Sequence, residues 1–178
     1  MGLRDRVQER RAENSGEQYF KMRQKMLSIG DDFWIEDSSG NRAFKVDGKA
    51  LRVRETLKFE DANGNELLKI QERMARVRDT MKIEDANGNT VATVKKAMIT
   101  PLRERWHVEV SNGSDLKIQG NLVDHEYEIE ADGQKVAEVS KRWLRVADSY
   151  GVQVAPGQNA VLMLAVVAVL DEMAHPDR

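Results

Sequence analysis

Nine basic residues stand at spacings that suit recognition of a phosphate-bearing ligand. Arg52 and Arg54 belong to an Arg-Val-Arg triplet, and Arg76 and Arg78 repeat that triplet 24 residues later. Arg103 and Arg105 flank Glu104, and Lys141, Arg142 and Arg145 cluster further along the chain. Guanidinium groups hold phosphate oxygens through paired N–H donors, and basic clusters attract anionic headgroups. These nine residues are the candidate anion- or lipid-binding set. Glu55, Asp79, Glu104 and Asp148 lie beside them, so the same arginines also read as a solvated, self-paired surface.

Other chemistries find less support. Asp61-Ala-Asn-Gly-Asn-Glu66 and Asp85-Ala-Asn-Gly-Asn-Thr90 place oxygen side chains at alternate positions, as a calcium loop does. An EF-hand loop needs glycine sixth and a bidentate glutamate twelfth, with helices on both sides. Here Glu66 and Thr90 take the sixth place and strands flank each loop, so both read as hairpin turns. His107, His125 and His175 are scattered, and no metal site is read from them. His107 alternates with Trp106 and Val108 as on the outer face of a strand, and His125, between Asp124 and Glu126, reads as a solvated strand start. There is no cysteine, no glycine-rich phosphate loop and no nucleophile elbow, so a cofactor-free, non-enzymatic protein is expected.

The elements that must carry these residues are hairpins. Leu57 and Phe59 alternate with polar residues, Asn63-Gly64 follows, and Leu68 and Ile70 return on one face. Asn-Gly is the dipeptide that best accepts the positive φ angles of a tight turn. The plan recurs around Ser39-Gly40, Asn87-Gly88, Asn112-Gly113 and Asp132-Gly133. Short polar links, Arg54-Glu-Thr56, Arg78-Asp-Thr80, Arg103-Glu-Arg105 and Asp148-Ser149, join the hairpins. Twelve strands result, over 18–27, 31–37, 42–49, 56–61, 66–74, 80–85, 90–98, 105–111, 115–121, 125–131, 134–143 and 149–155. A helix over 159–173 follows Pro156 and Gly157, and its segment 160–170 is apolar on every side.

That helix selects among all-β architectures. A helix apolar all round needs protein on all sides. A barrel of about twelve strands is too wide for its own side chains to fill. Threading the helix through a twelve-stranded antiparallel closed barrel satisfies both, with Ala160, Ala165 and Ala168 allowing close approach. A β-solenoid also fits the 24-residue period but leaves the helix without a wall. In such a barrel alternate turns lie at opposite ends. Asp37, Glu60, Asp61, Glu84, Asp85 and Asp132 gather at one rim and the nine basic residues at the other.

The hairpins at Ile35, Phe59 and Ile83, each of the form apolar-x-apolar-x-Asp-x-x-Gly, are joined by two later segments. These are Trp143-Leu-Arg-Val-Ala-Asp-Ser-Tyr-Gly-Val-Gln-Val154 and Leu162-Met-Leu-Ala-Val-Val-Ala-Val-Leu-Asp-Glu172. In this order and spacing, over about residues 18–174, the chain resembles the LURP-one-related family, whose domain is similar to the tubby C-terminal domain and to phospholipid scramblases. The resemblance implies the same barrel around a C-terminal helix and no established enzymatic activity. It points toward binding of anionic membrane lipid or of a protein partner.

Composition bounds the remaining possibilities. With 28 Lys and Arg against 30 Asp and Glu, the net charge of −2 gives no global basic excess, and nucleic acid is not an expected partner. Eleven apolar residues over 160–170 rise only about 16 Å as a helix, roughly half a bilayer core. Residues 1–17 are expected as a flexible or short helical tail, 18–174 as one domain and 175–178 as a second tail. The N-terminus shows neither a signal-peptide core nor, with Arg6 at the critical position, a myristoylation signal. A monomeric, cytoplasmic protein is expected, with peripheral attachment to membrane as the corollary of lipid binding.

Overall fold

The computed structural model describes residues 16–24, 32–47, 56–71, 80–100 and 103–175. The described strands are β1 (Gln18–Arg23), β2 (Phe33–Asp37), β3 (Arg42–Asp47), β4 (Thr56–Asp61), β5 (Glu66–Gln71) and β6 (Thr80–Asp85). They continue as β7 (Thr90–Thr100), β8 (Arg103–Val110), β9 (Leu116–Asn121), β10 (Glu126–Ala131), β11 (Gln134–Ser140) and β12 (Ser149–Val154). Helix α1 (Ala160–Ala174) closes the series. All pairings are antiparallel and sequential, and β1 joins β12 to close the barrel. The expected tail over 1–17 falls almost wholly outside the described residues.

Period-two alternation builds the wall. Phe33 and Ile35, Leu57 and Phe59, Met81 and Ile83, and Trp106 and Val108 are buried inward, while their neighbours face outward. The lumen is filled by α1, whose residues Met163, Leu164, Val166, Val167, Val169 and Leu170 are all buried. The helix packs against β5, β6 and β7 and against β12, which lies across the ring from them. Contact with opposite walls is what threading requires. Asn159 caps the helix, its side-chain oxygen accepting from the Leu162 amide at 3.1 Å.

The first three hairpins differ from a simple Asn-Gly turn. Gly40, Gly64 and Gly88 have φ of 79°, 86° and 87°, whereas the residue before each keeps a negative φ. The turn instead begins at the aspartate. Gly64 N bonds Asp61 O at 3.1 Å, and the strand register shifts between Phe59 and Glu60. This is a type I turn followed by a left-handed glycine and a bulge. Asp61 Oδ1 accepts from the amides of Asn63 (2.8 Å) and Asn65 (2.9 Å), and Oδ2 accepts from the Asn65 side chain at 2.7 Å. Asp37 and Asp85 do the same in their turns. Asp132-Gly133, with φ of 51° and 74°, is the hairpin that does use two positive angles in succession.

Two segments correct the expected boundaries. Arg103–Arg105, expected as a link, begins β8, because the extended end of β7 offers its ladder: Ala97 pairs Arg105 and Thr100 pairs Arg103. Strand β11 ends at Ser140 rather than residue 143, because Glu126 draws the Lys141 and Arg142 amides out of the ladder.

Candidate functional site: the loop end of the barrel

The up-and-down order puts the acidic hairpins at the end where α1 starts. The links β9–β10 (122–125) and β11–β12 (141–148) lie at the end where α1 finishes. Lys141 N bonds His125 O at 3.1 Å, so these two links touch. Glu126 organises the longer one. Its Oε1 accepts from the Lys141 amide (3.0 Å) and the Arg142 amide (3.1 Å), and both carboxylate oxygens accept from Ser140 Oγ. With the backbone held this way, the side chains of Lys141, Arg142 and Arg145 are left exposed. Arg142 approaches Glu126 at 3.7 Å yet its side chain is 81% exposed, so pairing leaves most of its donors available.

Of the nine basic candidates, the structure gathers Lys141, Arg142 and Arg145 on this one link. Arg105 is exposed near the start of β8, at the same end but three strands away from β11 around the ring. Arg103 opens β8 but its side chain lies outside the description, as do Arg52, Arg54, Arg76 and Arg78 altogether.

Sequence reasoning passed over the apolar partners of this charge. Val123 and Val146, 56% and 52% exposed, are the large hydrophobic residues left in solvent among those described, and each sits in one of these two links. Beside Val146 a cleft of ≈ 250 Å³ opens on the outer wall, lined by Lys21, Arg23, Trp34, Glu36 and Ala147 among others. Lys21 pairs with Glu36 at 3.3 Å across it. Alternation aims these side chains outward, because Phe20, Met22, Phe33 and Ile35 between them turn inward. Gly151 lets Tyr19 and Trp143 close over the adjacent wall; a Cβ there would meet the Tyr19 hydroxyl at 2.6 Å.

Beneath the links, α1 ends in a polar cluster. His125 is 3% exposed with φ of 53°, which corrects its reading as a solvated strand start. Its side chain turns inward because Asp171, buried on α1, accepts from it: Nε2 lies 2.7 Å from Asp171 Oδ1. The ring stacks between Tyr150 and His175 at centroid distances of 4.6 and 5.0 Å. Burial first, then the Asp171 carboxylate, pushes the Tyr127 and Tyr150 phenols well above their ordinary range, so both stay neutral. His107 does lie on the outer wall, 3.4 Å from Asp115. The spacing of Asp171 and His175, one helical turn apart, was visible in the sequence; no local signal pointed to His125.

The LURP-one-related family model matches residues 19–171. The chain belongs to the LURP-one-related family. A similar curated protein is the uncharacterized YxjI of Bacillus subtilis, 35% identical over 69 residues, which are 38% of this chain and 42% of that protein. The chain thus aligns with less than half the length of that relative. An X-ray structure of a protein from Arabidopsis thaliana superimposes with a TM-score of 0.64 at 16% identity, covering 88% of this chain and 90% of the other. At that identity the likeness speaks for the fold, the closed twelve-stranded barrel with its central helix. No helix among the described residues of this LURP-one-related chain is long and apolar enough to cross a membrane.

Proposed function

We propose that this LURP-one-related chain is a non-enzymatic binding module for anionic phospholipid headgroups, attached peripherally through the loop end of its barrel. One observation carries the reading: Lys141, Arg142 and Arg145 are exposed on one of two touching links that also expose Val123 and Val146. Cations near a membrane each contribute about 1 kcal/mol of attraction to anionic lipid. Exposed valines beside them add apolar contact with the headgroup–acyl boundary. The reading is supported by the hairpin end, where Asp61 and Asp85 occupy the turns, so a negative surface is expected to meet the loop end instead.

Vesicle co-sedimentation tests the proposal. Vesicles of phosphatidylcholine alone are compared with vesicles containing phosphatidylserine or phosphoinositide, at low and physiological salt. Binding is expected with anionic vesicles, and it should weaken steeply with salt because the Debye length shrinks to about 8 Å at physiological ionic strength. Protein that ignores anionic vesicles even at low salt sinks the lipid reading and leaves a protein-interaction scaffold in its place.

A further inference from the structure

We infer that His125, Asp171 and His175 form a site for a divalent transition-metal cation of the zinc class, tying the end of α1 to the β9–β10 link. The inference stands apart from lipid binding. Three ligand atoms, one from each residue, lie within 4.8 Å of one another where α1 ends. His125 Nε2 is 2.7 Å and His175 Nδ1 3.1 Å from the same oxygen, Asp171 Oδ1. The ligand edges of a tetrahedral zinc site are about 3.3 Å, so modest spreading of these side chains admits an ion.

The donor and acceptor inventory favours a cation. A neutral imidazole carries one N–H. His175 Nε2 lies 3.0 Å from Val123 O, while Nδ1 faces Asp171 O at 2.9 Å as well as Oδ1. Both ring nitrogens therefore confront acceptors. A proton donated to Val123 O leaves the Nδ1 lone pair aimed at oxygen, a repulsion that a metal ion removes. Anchoring the distal N–H on a carbonyl is also how ligating histidines are oriented. Two imidazole nitrogens and one carboxylate suit zinc-class ions, whereas calcium and magnesium prefer all-oxygen sites.

A second group of observations points the same way. His125 Nδ1 and the hydroxyls of Tyr127 and Tyr150 are buried without a hydrogen-bond partner among the described residues. Tyr150 stacks directly on His125, which sets one of these hydroxyl-bearing rings against a proposed ligand. The His175 side chain, 14% exposed, provides the route of entry. A second proton on His175 is the competing way to satisfy the same contacts, and the experiment separates the two.

The full chain, freed of any affinity tag and stripped with chelator, is titrated with zinc by calorimetry and with cobalt by visible absorption. One equivalent of zinc should bind and raise the thermal midpoint, cobalt should develop the ligand-field bands of a nitrogen–oxygen site, and magnesium and calcium should do neither. His175→Gln and His125→Asn should each weaken binding about a hundredfold or more; asparagine is chosen because it tolerates positive φ. His107→Gln, which removes the surface pair with Asp115, should leave binding unchanged. Absence of saturable one-to-one zinc binding overturns the site. Binding that survives in His175→Gln, or that vanishes in His107→Gln, places the ion elsewhere and overturns it equally. If His125→Asn does not fold, the cobalt spectrum of His175→Gln decides.

Discussion

The two ends of this barrel use carboxylates in opposite ways. At the hairpin end, Asp37, Asp61 and Asp85 each bond to amides two and four residues ahead, within a single turn. At the loop end, Glu126 holds amides 15 and 16 residues away, and Asp171 holds a histidine 46 residues away. The hairpin end thus spends its acidity on its own backbone and repeats as a unit. The loop end is assembled from distant segments, and it leaves cations and valines exposed. Repetition yields stable turns, whereas a departure from repetition yields the surface with chemistry to offer.

The most disruptive test removes the scaffold that both ends share. Val166→Asp puts an unpaired charge into the lumen, costing several kcal/mol against a total stability of about 5–15 kcal/mol. The expected outcome is insoluble or unfolded protein by circular dichroism. A soluble variant with a cooperative, parent-like melt would refute the threaded helix.

Next in size is a charge exchange between the ends. Replacing Lys141, Arg142 and Arg145 together by Gln should weaken binding to anionic vesicles on the order of 100-fold, three cations at about 1 kcal/mol each. The thermal midpoint should hardly move, because these side chains are exposed. Asp61→Asn with Asp85→Asn, at the other end, should leave vesicle binding intact. Equal loss from both variants would show that net charge matters and location does not.

The hairpin end is probed by Gly64→Val. Nothing lies within 4 Å of the Cβ position, so the penalty comes from a β-branched residue at φ 86° and should be about 1–2 kcal/mol in a denaturant melt. A variant as stable as its parent would show that the turn adopts another backbone.

The smallest effect concerns pH. The Asn65 and Asn89 side chains and the turn amides hold Asp61 and Asp85 below the ordinary aspartate value of 3.8. Their contribution is therefore complete above the unfolded value and is lost as pH falls through the lower, folded value. The double Asn variant should melt below the parent at pH 6, and the gap should close as the pH drops under 3.8. A gap that stays constant with pH would mean that the carboxylates act by shape alone.

The sequence by itself determined the strand count, the hairpin positions, the apolar helix and its enclosure. These follow from periods of two and from turn residues that act on neighbours within about four positions. Even the Asp–Asn capping of the turns was present in the text as a 24-residue repeat, although the turn type was not. Only the tertiary structure decided that β8 begins at Arg103, that β11 releases Lys141 and Arg142, and that Val123 and Val146 share an end with them. It also decided that His125 turns inward to Asp171 and stacks on His175. The start of β8 rests on the neighbouring end of β7, whereas the other features depend on segments 15 or more residues apart, which the folded barrel brings together and no local pattern encodes.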